Sequence, residues 1–234
     1  MTKEEFLAYL LTRPQFDLEK TGTKQAKKFD VDLTKKLQST AAVLVCDSSG
    51  FTKKTRKYGI IHYLANLMQS YTLSFPIIAK HSGTLIKNEA DNLIATFKTP
   101  KDAVGCAVDI QAAHRQRNAA LTDAANEFHV CMGIDYGKFL KLNDDVFGDA
   151  VNVAYKLGED LAGREEILVS QSVHEKIKGS HRVTDMGLMD VGHIETPVYR
   201  IEWLPKPESG KKTSEKSKPE KSKPEKLKKK KKKK

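Results

Sequence analysis

Ala41-Ala42-Val43-Leu44-Val45-Cys46-Asp47-Ser48-Ser49-Gly50-Phe51-Thr52 is the stretch on which the fold turns. Its first six residues form an unbroken apolar run, which marks a strand buried on both faces rather than one with a wet side. The run stops at a carboxylate, Asp47, and Ser48-Ser49-Gly50 supplies turn and cap chemistry. From about Thr55 to Phe75 the apolar residues Ile60, Ile61, Leu64, Leu67, Met68 and Tyr71 recur at the spacing of a helix.

Beyond this unit, the runs Thr84 to Lys87 and Asn92 to Phe97 flank a few polar residues and read as a hairpin. Thr99-Pro100 opens a long helix with proline in its first turn, and Val104, Ala107, Val108, Ile110 and Ala112 mark its expected buried side. A strand over Phe128 to Ile134 is expected to turn at Asp135 to Gly137 into another, Lys138 to Leu142. A helix from about Asp149 to Leu161, a strand at Ile167 to Val169 and a short helix at Ser172 to Ile177 follow. The last strands lie near Arg182 to Met186 and Pro197 to Trp203. This is the ferredoxin-like βαββαβ order with C-terminal additions, an α+β fold with helices over a mainly antiparallel sheet. Helices near Lys3 to Leu11 and Asp30 to Leu37 precede it. The expected organisation is a helical extension over 1–40, one domain over 41–204 and a lysine-rich tail over 205–234.

The net charge of +11 belongs to that tail: Pro205 to Lys234 holds 15 lysines and four glutamates, and the other 204 residues hold 26 basic and 26 acidic side chains. A nucleic-acid surface spread over the whole molecule is therefore not implied. The tail repeats Ser-Lys-Pro-Glu-Lys and ends in seven lysines, a composition with too little apolar surface to offset ordering entropy. It is expected to be disordered and suited to acidic surfaces at low salt. No apolar run approaches the roughly 18 to 20 residues of a membrane span. The N-terminal stretch carries acids and no small-residue cleavage site, so it reads as a helix start. Cys46, Cys106 and Cys131 are too few and too widely spaced for a disulfide framework or a metal knuckle. Buried free thiols and a cytoplasmic location are expected.

Two carboxylates carry the chemistry. Asp47, at the end of a buried strand before a helix, is placed to hold magnesium against phosphates, with the N–H groups from Ser49 to Thr52 receiving phosphate oxygens. Taken alone the signal is weak, and an aspartate before a helix is more often an N-cap. Asp91, in the hairpin tip Lys87-Asn88-Glu89-Ala90-Asp91-Asn92, reads alone as a turn residue. In a ferredoxin-like sheet the two come close, and neighbouring carboxylates repel unless a cation sits between them. Two-metal phosphoryl and nucleotidyl transfer uses that pairing.

In combination these segments resemble a known family. Ala41 to Thr52 is similar to the first metal motif of class III adenylyl and guanylyl cyclases. Lys87 to Asp91 resembles their Lys-x-x-Gly-Asp hairpin, with Ala90 in the glycine place. Gly133 to Gly137 (GIDYG) resembles their GIHxG segment, and Asp145 to Lys156 (DVFGDAVNVAYK) their DVWGxxVNxAxR segment. The resemblance spans Ala41 to Trp203. It implies that Asp47 and Asp91 hold two divalent ions, magnesium or manganese, and that Lys87 and Asp145 read the adenine edge of ATP. It further implies that Asn152 orients the ribose, that position 156 serves the phosphates, and that the two half-sites meet across a homodimer. The implied reaction is attack of the ribose 3′-oxygen on the α-phosphorus with loss of pyrophosphate.

Three departures stand against full activity. Lysine replaces arginine at position 156, exchanging a planar fork for a point charge. Asp190 to Glu195 holds no lysine where many relatives carry one, and His193 stands nearest. Glu89 adds a carboxylate to the hairpin. Three readings stay open, and the first two are an adenylyl cyclase and a catalytically weak ATP-binding dimeric module. An interaction protein working through its tail is the third.

Overall fold

β1 (Gln38–Ser48) lies inside the sheet, and its six consecutive buried residues, Ala41 to Cys46, are what two covered faces demand. The computed structural model describes residues 1–14 and 22–204; the lysine-rich tail expected to be disordered lies outside the described residues. β3 (Asn92–Phe97) and β4 (Val130–Lys141) flank β1, both antiparallel to it. β2 (Thr84–Glu89) pairs with β3 in the expected hairpin, and β6 (Ile167–Ser170) runs parallel to β4. With β7 (Val183–Asp190) and β8 (Glu195–Ile201) the order is β2-β3-β1-β4-β6-β8-β7, and the short β5 (Val146–Phe147) pairs with the end of β4. The α+β class and the ferredoxin-like core with C-terminal additions are as the sequence implies.

Helices cover both faces. On one, Leu44, Met132 and Ile134 meet α4 (Ile60–Lys80), α5 (Pro100–Ala119) and α7 (Gln171–Ile177) through Leu67, Ile110 and Val173. On the other, Val43, Val45 and Phe139 meet α6 (Asp149–Tyr155) through Ala150, Val151 and Ala154. The N-terminal helices α1 (Lys3–Leu10) and α2 (Gly22–Leu37) bury Phe6 and Leu33 against Leu142, with Leu140 and Phe147 alongside. Each such side chain contributes about 1.5–3 kcal/mol when buried. They belong to the same compact unit, Met1–Trp203. Among the described residues no helix is long and apolar enough to cross a membrane. All three cysteines are free and buried.

Several local expectations change. No turn forms at Asp135 to Gly137: β4 runs through it, in register with β1 from Gln38↔Leu140 to Ser48↔Val130. The Asp135 side chain, instead of capping a turn, accepts hydrogen bonds from Ser170 and from Ser172 at 2.8 Å. The helix after β1 breaks at Gly59, whose φ of 86° favours glycine, into α3 (Phe51–Tyr58) and α4. The helix opened by Asp149 gives way to a π-helical segment, Lys156–Leu161. There a Cβ on Gly133 would stand 2.2 Å from the Ala154 carbonyl oxygen and 2.3 Å from the Gly158 nitrogen, so strand and helix backbones touch directly. On α5, Ala112 is exposed while Gln111 and His114 are buried.

The largest surprise is α4. Its buried side is Tyr63, Asn66, Leu67, Ser70, Tyr71, Ser74 and Ile78. Most of the apolar residues that announced the helix face outward: Ile61 is 77% exposed and Met68 51%, with Ile60 and Leu64 beside them.

Candidate active site

Asp47 ends β1 half-buried and does not cap α3; that helix starts after Gly50, at φ 92°, with no side-chain cap. Of the turn's N–H groups, that of Ser49 donates to the His129 carbonyl at 2.8 Å, so it is already used. First-turn N–H groups have no intrahelical acceptor, which leaves those of Phe51 and Thr52, both in exposed residues, open to an anion.

Asp91 is held at the same end by side chains that sequence spacing does not flag. Ser48 Oγ donates to Asp91 Oδ2 at 2.5 Å, and the buried Tyr63 hydroxyl bonds Ser48 and lies 3.3 Å from the same carboxylate oxygen. The Tyr71 hydroxyl donates to the Ala90 carbonyl at 3.2 Å, pinning the hairpin tip. Ala90, in the family's glycine place, takes φ 53°. Burial first, and the charge of Asp91 second, push the Asp47 carboxyl up to about 6. Among the described residues no lysine or arginine pairs with Asp47 or Asp91. A repelling carboxylate pair with no cation from the chain fits a hard divalent ion bound by oxygen. The described residues form no group of three or more His, Cys, Asp or Glu suited to a metal, so the remaining ligands would have to come from elsewhere, such as phosphate oxygens.

A second constellation forms around Asp145, whose side chain is only 3% exposed. Lys87 Nζ lies 3.0 Å from Oδ1, and the Val146 N–H donates to the same oxygen at 2.9 Å. Lys3 Nζ, from α1, lies 2.7 Å from Oδ2. Burial pushes this carboxyl up, but the bonds from Lys3, Lys87 and Val146 outweigh it and hold the group below its ordinary value. Glu89 lies 2.9 Å from Lys87, so the extra hairpin carboxylate engages the lysine. The expected pair Lys87–Asp145 is thus assembled, with a third member, Lys3, that no local pattern announces.

Asn152 and Lys156 follow each other along α6 and its π-helical continuation and line a cavity of about 390 Å³ with Glu159, Val191 and Gly192. Lys156 Nζ lies 2.6 Å from Asp160 Oδ2. The neighbouring loop bends at His193, φ 70°, whose N–H donates to Asp190 at 2.6 Å, and it brings no lysine to the cavity. The chain therefore forms three groups: Asp47 with Asp91, Lys87 with Asp145, and Asn152 with Lys156.

No family model matches the chain. The crystal structure of an adenylate/guanylate cyclase/hydrolase from Silicibacter pomeroyi does: it is 30% identical, covers 70% of this chain and 96% of its own, and superposes with a TM-score of 0.62. The chain belongs to the class III adenylyl/guanylyl cyclase family. A Rhizobium meliloti (strain 1021) protein provisionally named adenylate cyclase 3 is 31% identical over 170 residues, which is 71% of this chain. This cyclase-family chain spans only 28% of that relative's length. The adenylyl cyclase CyaB from P. aeruginosa, at 21% identity, shares the fold with a TM-score of 0.60 over 70% of this chain and 94% of its own.

Proposed function

We propose that this chain is an adenylyl cyclase that converts ATP to cyclic AMP and pyrophosphate at sites shared between two copies of itself. The observation that carries the reading is the Lys87–Asp145 pair at 3.0 Å, a donor beside an acceptor, in a chain that also groups Asp47 with Asp91. Adenine offers a ring nitrogen to accept from Lys87 and an exocyclic amine to donate to Asp145. Guanine offers a carbonyl oxygen where adenine has the amine, so a carboxylate there favours ATP.

Asp47 and Asp91 would hold two divalent cations, magnesium or manganese. When bound, these would lower the cost of forming the 3′-alkoxide and offset charge on the triphosphate. The N–H groups of Phe51 and Thr52 receive phosphate oxygens, and Asn152 orients the ribose. The bond from the 3′-oxygen to the α-phosphorus forms as the bond to the bridging oxygen breaks. The 3′ proton passes to solvent, pyrophosphate leaves, and Lys156 stabilises charge on the phosphates.

The outward stripe of Ile60, Ile61, Leu64 and Met68 on α4 supports the two-copy arrangement, because monomers seldom leave so much apolar surface on one helix face. A second reading, a nucleotide-binding module with little turnover, is favoured by one contact: Lys156 is spent on Asp160. Cyclic AMP formation by the purified chain, with ATP and magnesium or manganese and GTP as control, separates the two. Product that disappears in Asp91→Ala supports the enzyme. Folded, dimeric protein that binds ATP without product supports the module.

A further inference from the structure

Asp145 has little capacity left to accept a base. Its Oδ1 takes the Lys87 ammonium and the Val146 N–H, which fill the two acceptor sites of a carboxylate oxygen. Its Oδ2 takes the Lys3 ammonium at 2.7 Å, and the whole side chain is 3% exposed. The lysine is delivered by a built element. Thr2 and Glu5 form a capping box at the start of α1, and the Lys3 N–H donates to Asp144 at 2.7 Å. Phe6 is buried and stacks on Phe147 at 5.8 Å, and the Lys3 ammonium lies 5.8 Å from that ring's centre.

We propose that Lys3 is a specificity-determining residue of the base site: its ammonium occupies the Asp145 oxygen that the exocyclic amine of adenine must reach, so the base binds by displacing Lys3. This rests on the reading of Lys87 and Asp145 as the base-reading pair. Lys3 lies outside the four motifs that carry the family resemblance, which begin at Ala41, and it reaches the site only because α1 folds back over β5. Oδ2 keeps a second acceptor site, but the side chain is 3% exposed and the Lys3 ammonium at 2.7 Å covers the approach to it. A buried carboxylate already neutralised by two ammonium groups is also a poorer acceptor. The displaced ammonium remains near the base edge, where it opposes an amine and suits a carbonyl. Lys3 therefore weakens discrimination in favour of adenine. The apparent affinity for the nucleotide is reduced by the fraction of molecules in which Lys3 occupies Asp145.

The test measures equilibrium binding of 3′-deoxy-ATP, which lacks the attacking hydroxyl, and of inorganic triphosphate, both with manganese. The proteins are the full wild-type chain, Lys3→Gln, Lys3→Met and Lys3→Arg. Lys3 is 43% exposed, so the competition is partly screened and an increase in 3′-deoxy-ATP affinity of about fivefold is expected in both neutral variants. Triphosphate affinity should not change, and Lys3→Arg should behave as wild type. The 3′-deoxy-ATP over 3′-deoxy-GTP preference should rise by a similar factor. Unchanged or weaker 3′-deoxy-ATP binding in the folded neutral variants overturns the role given to Lys3. If wild type and variants bind 3′-deoxy-ATP no better than triphosphate, the base-reading assignment of Lys87 and Asp145 falls, and this inference falls with it. Lys3→Met retains the apolar stem beside Phe147, so a fold defect confined to Lys3→Gln leaves the measurement intact.

Discussion

Asp47 faces a second carboxylate with no lysine or arginine of the described residues paired to either, whereas Asp145 is gripped by Lys3 at 2.7 Å and Lys87 at 3.0 Å. Burial raises the carboxyl in both places. At Asp47 the neighbouring charge of Asp91 adds to burial and carries the group up to about 6; at Asp145 the two lysines reverse it. A carboxylate whose cations are built in is finished when the chain folds. A carboxylate pair without them is strained until an ion arrives. In the proposed reading, the Asp47–Asp91 end stores repulsion that a cation would release, and the Asp145 end stores attraction that a base would have to exchange.

The comparison breaks most visibly at the carboxylates. Asp47→Asn should lower metal-dependent cyclic AMP formation on the order of a hundredfold or more, as loss of a charge-stabilising group does. The same change should raise the melting temperature of the metal-free protein, because it removes a repelling, part-buried charge worth about 1 kcal/mol after solvent screening. Asp145→Asn should do the reverse in a thermal melt, costing about 1–3 kcal/mol by removing the negative charge between Lys3 and Lys87 and turning one acceptor oxygen into an amide donor. Equal melting shifts of the same sign would erase the contrast. Next in size is the assembly. Ile61→Glu with Met68→Glu should yield a folded monomer by light scattering, with activity down at least tenfold if an interface core rests there. A dimer that survives moves the interface off α4. Lys156→Arg should raise turnover up to about tenfold, since arginine's planar fork offers phosphate two parallel bonds where a lysine shared with Asp160 offers a point charge. A flat response assigns that role elsewhere. The smallest effect is Ala90→Gly. Relief of φ 53° at a non-glycine should add about 1 kcal/mol of stability, read as a rise of a few degrees in melting temperature.

How much of this was legible varies by residue. The apolar run at Ala41 to Cys46 announced β1, and the hairpin and order of elements followed from local alternation and turn chemistry. The pairing of Lys87 with Asp145 was implied by the family motifs. The orientation of α4 was not legible, because Ile60, Ile61, Leu64 and Met68 face outward while Asn66, Ser70 and Ser74 are buried. Tyr63 bonds Ser48, Ser70 bonds His114 at 2.8 Å, and Asn66 accepts from Arg117 at 3.2 Å. A hydrophobicity count cannot see polar atoms that distant partners satisfy. The Asp135 turn failed for a related reason: serines far along the chain claim the carboxylate that turn chemistry would use. Lys3 stands 142 positions from Asp145, beyond the reach of any periodicity.

The contact of Gly133 with the π-helical segment bears on manufacture as much as on chemistry. With the Ala154 oxygen and the Gly158 nitrogen closer than any side chain could allow, the segment bearing Asn152 and Lys156 is seated on β4 with no adjustable spacer between them. Gly158 is tight in return, its own missing Cβ falling 2.9 Å from the Gly133 nitrogen and 3.1 Å from the Val45 carbonyl oxygen. Such a joint has no slack to share out. In the proposed two-copy assembly any misfit at these two glycines would be copied into both halves.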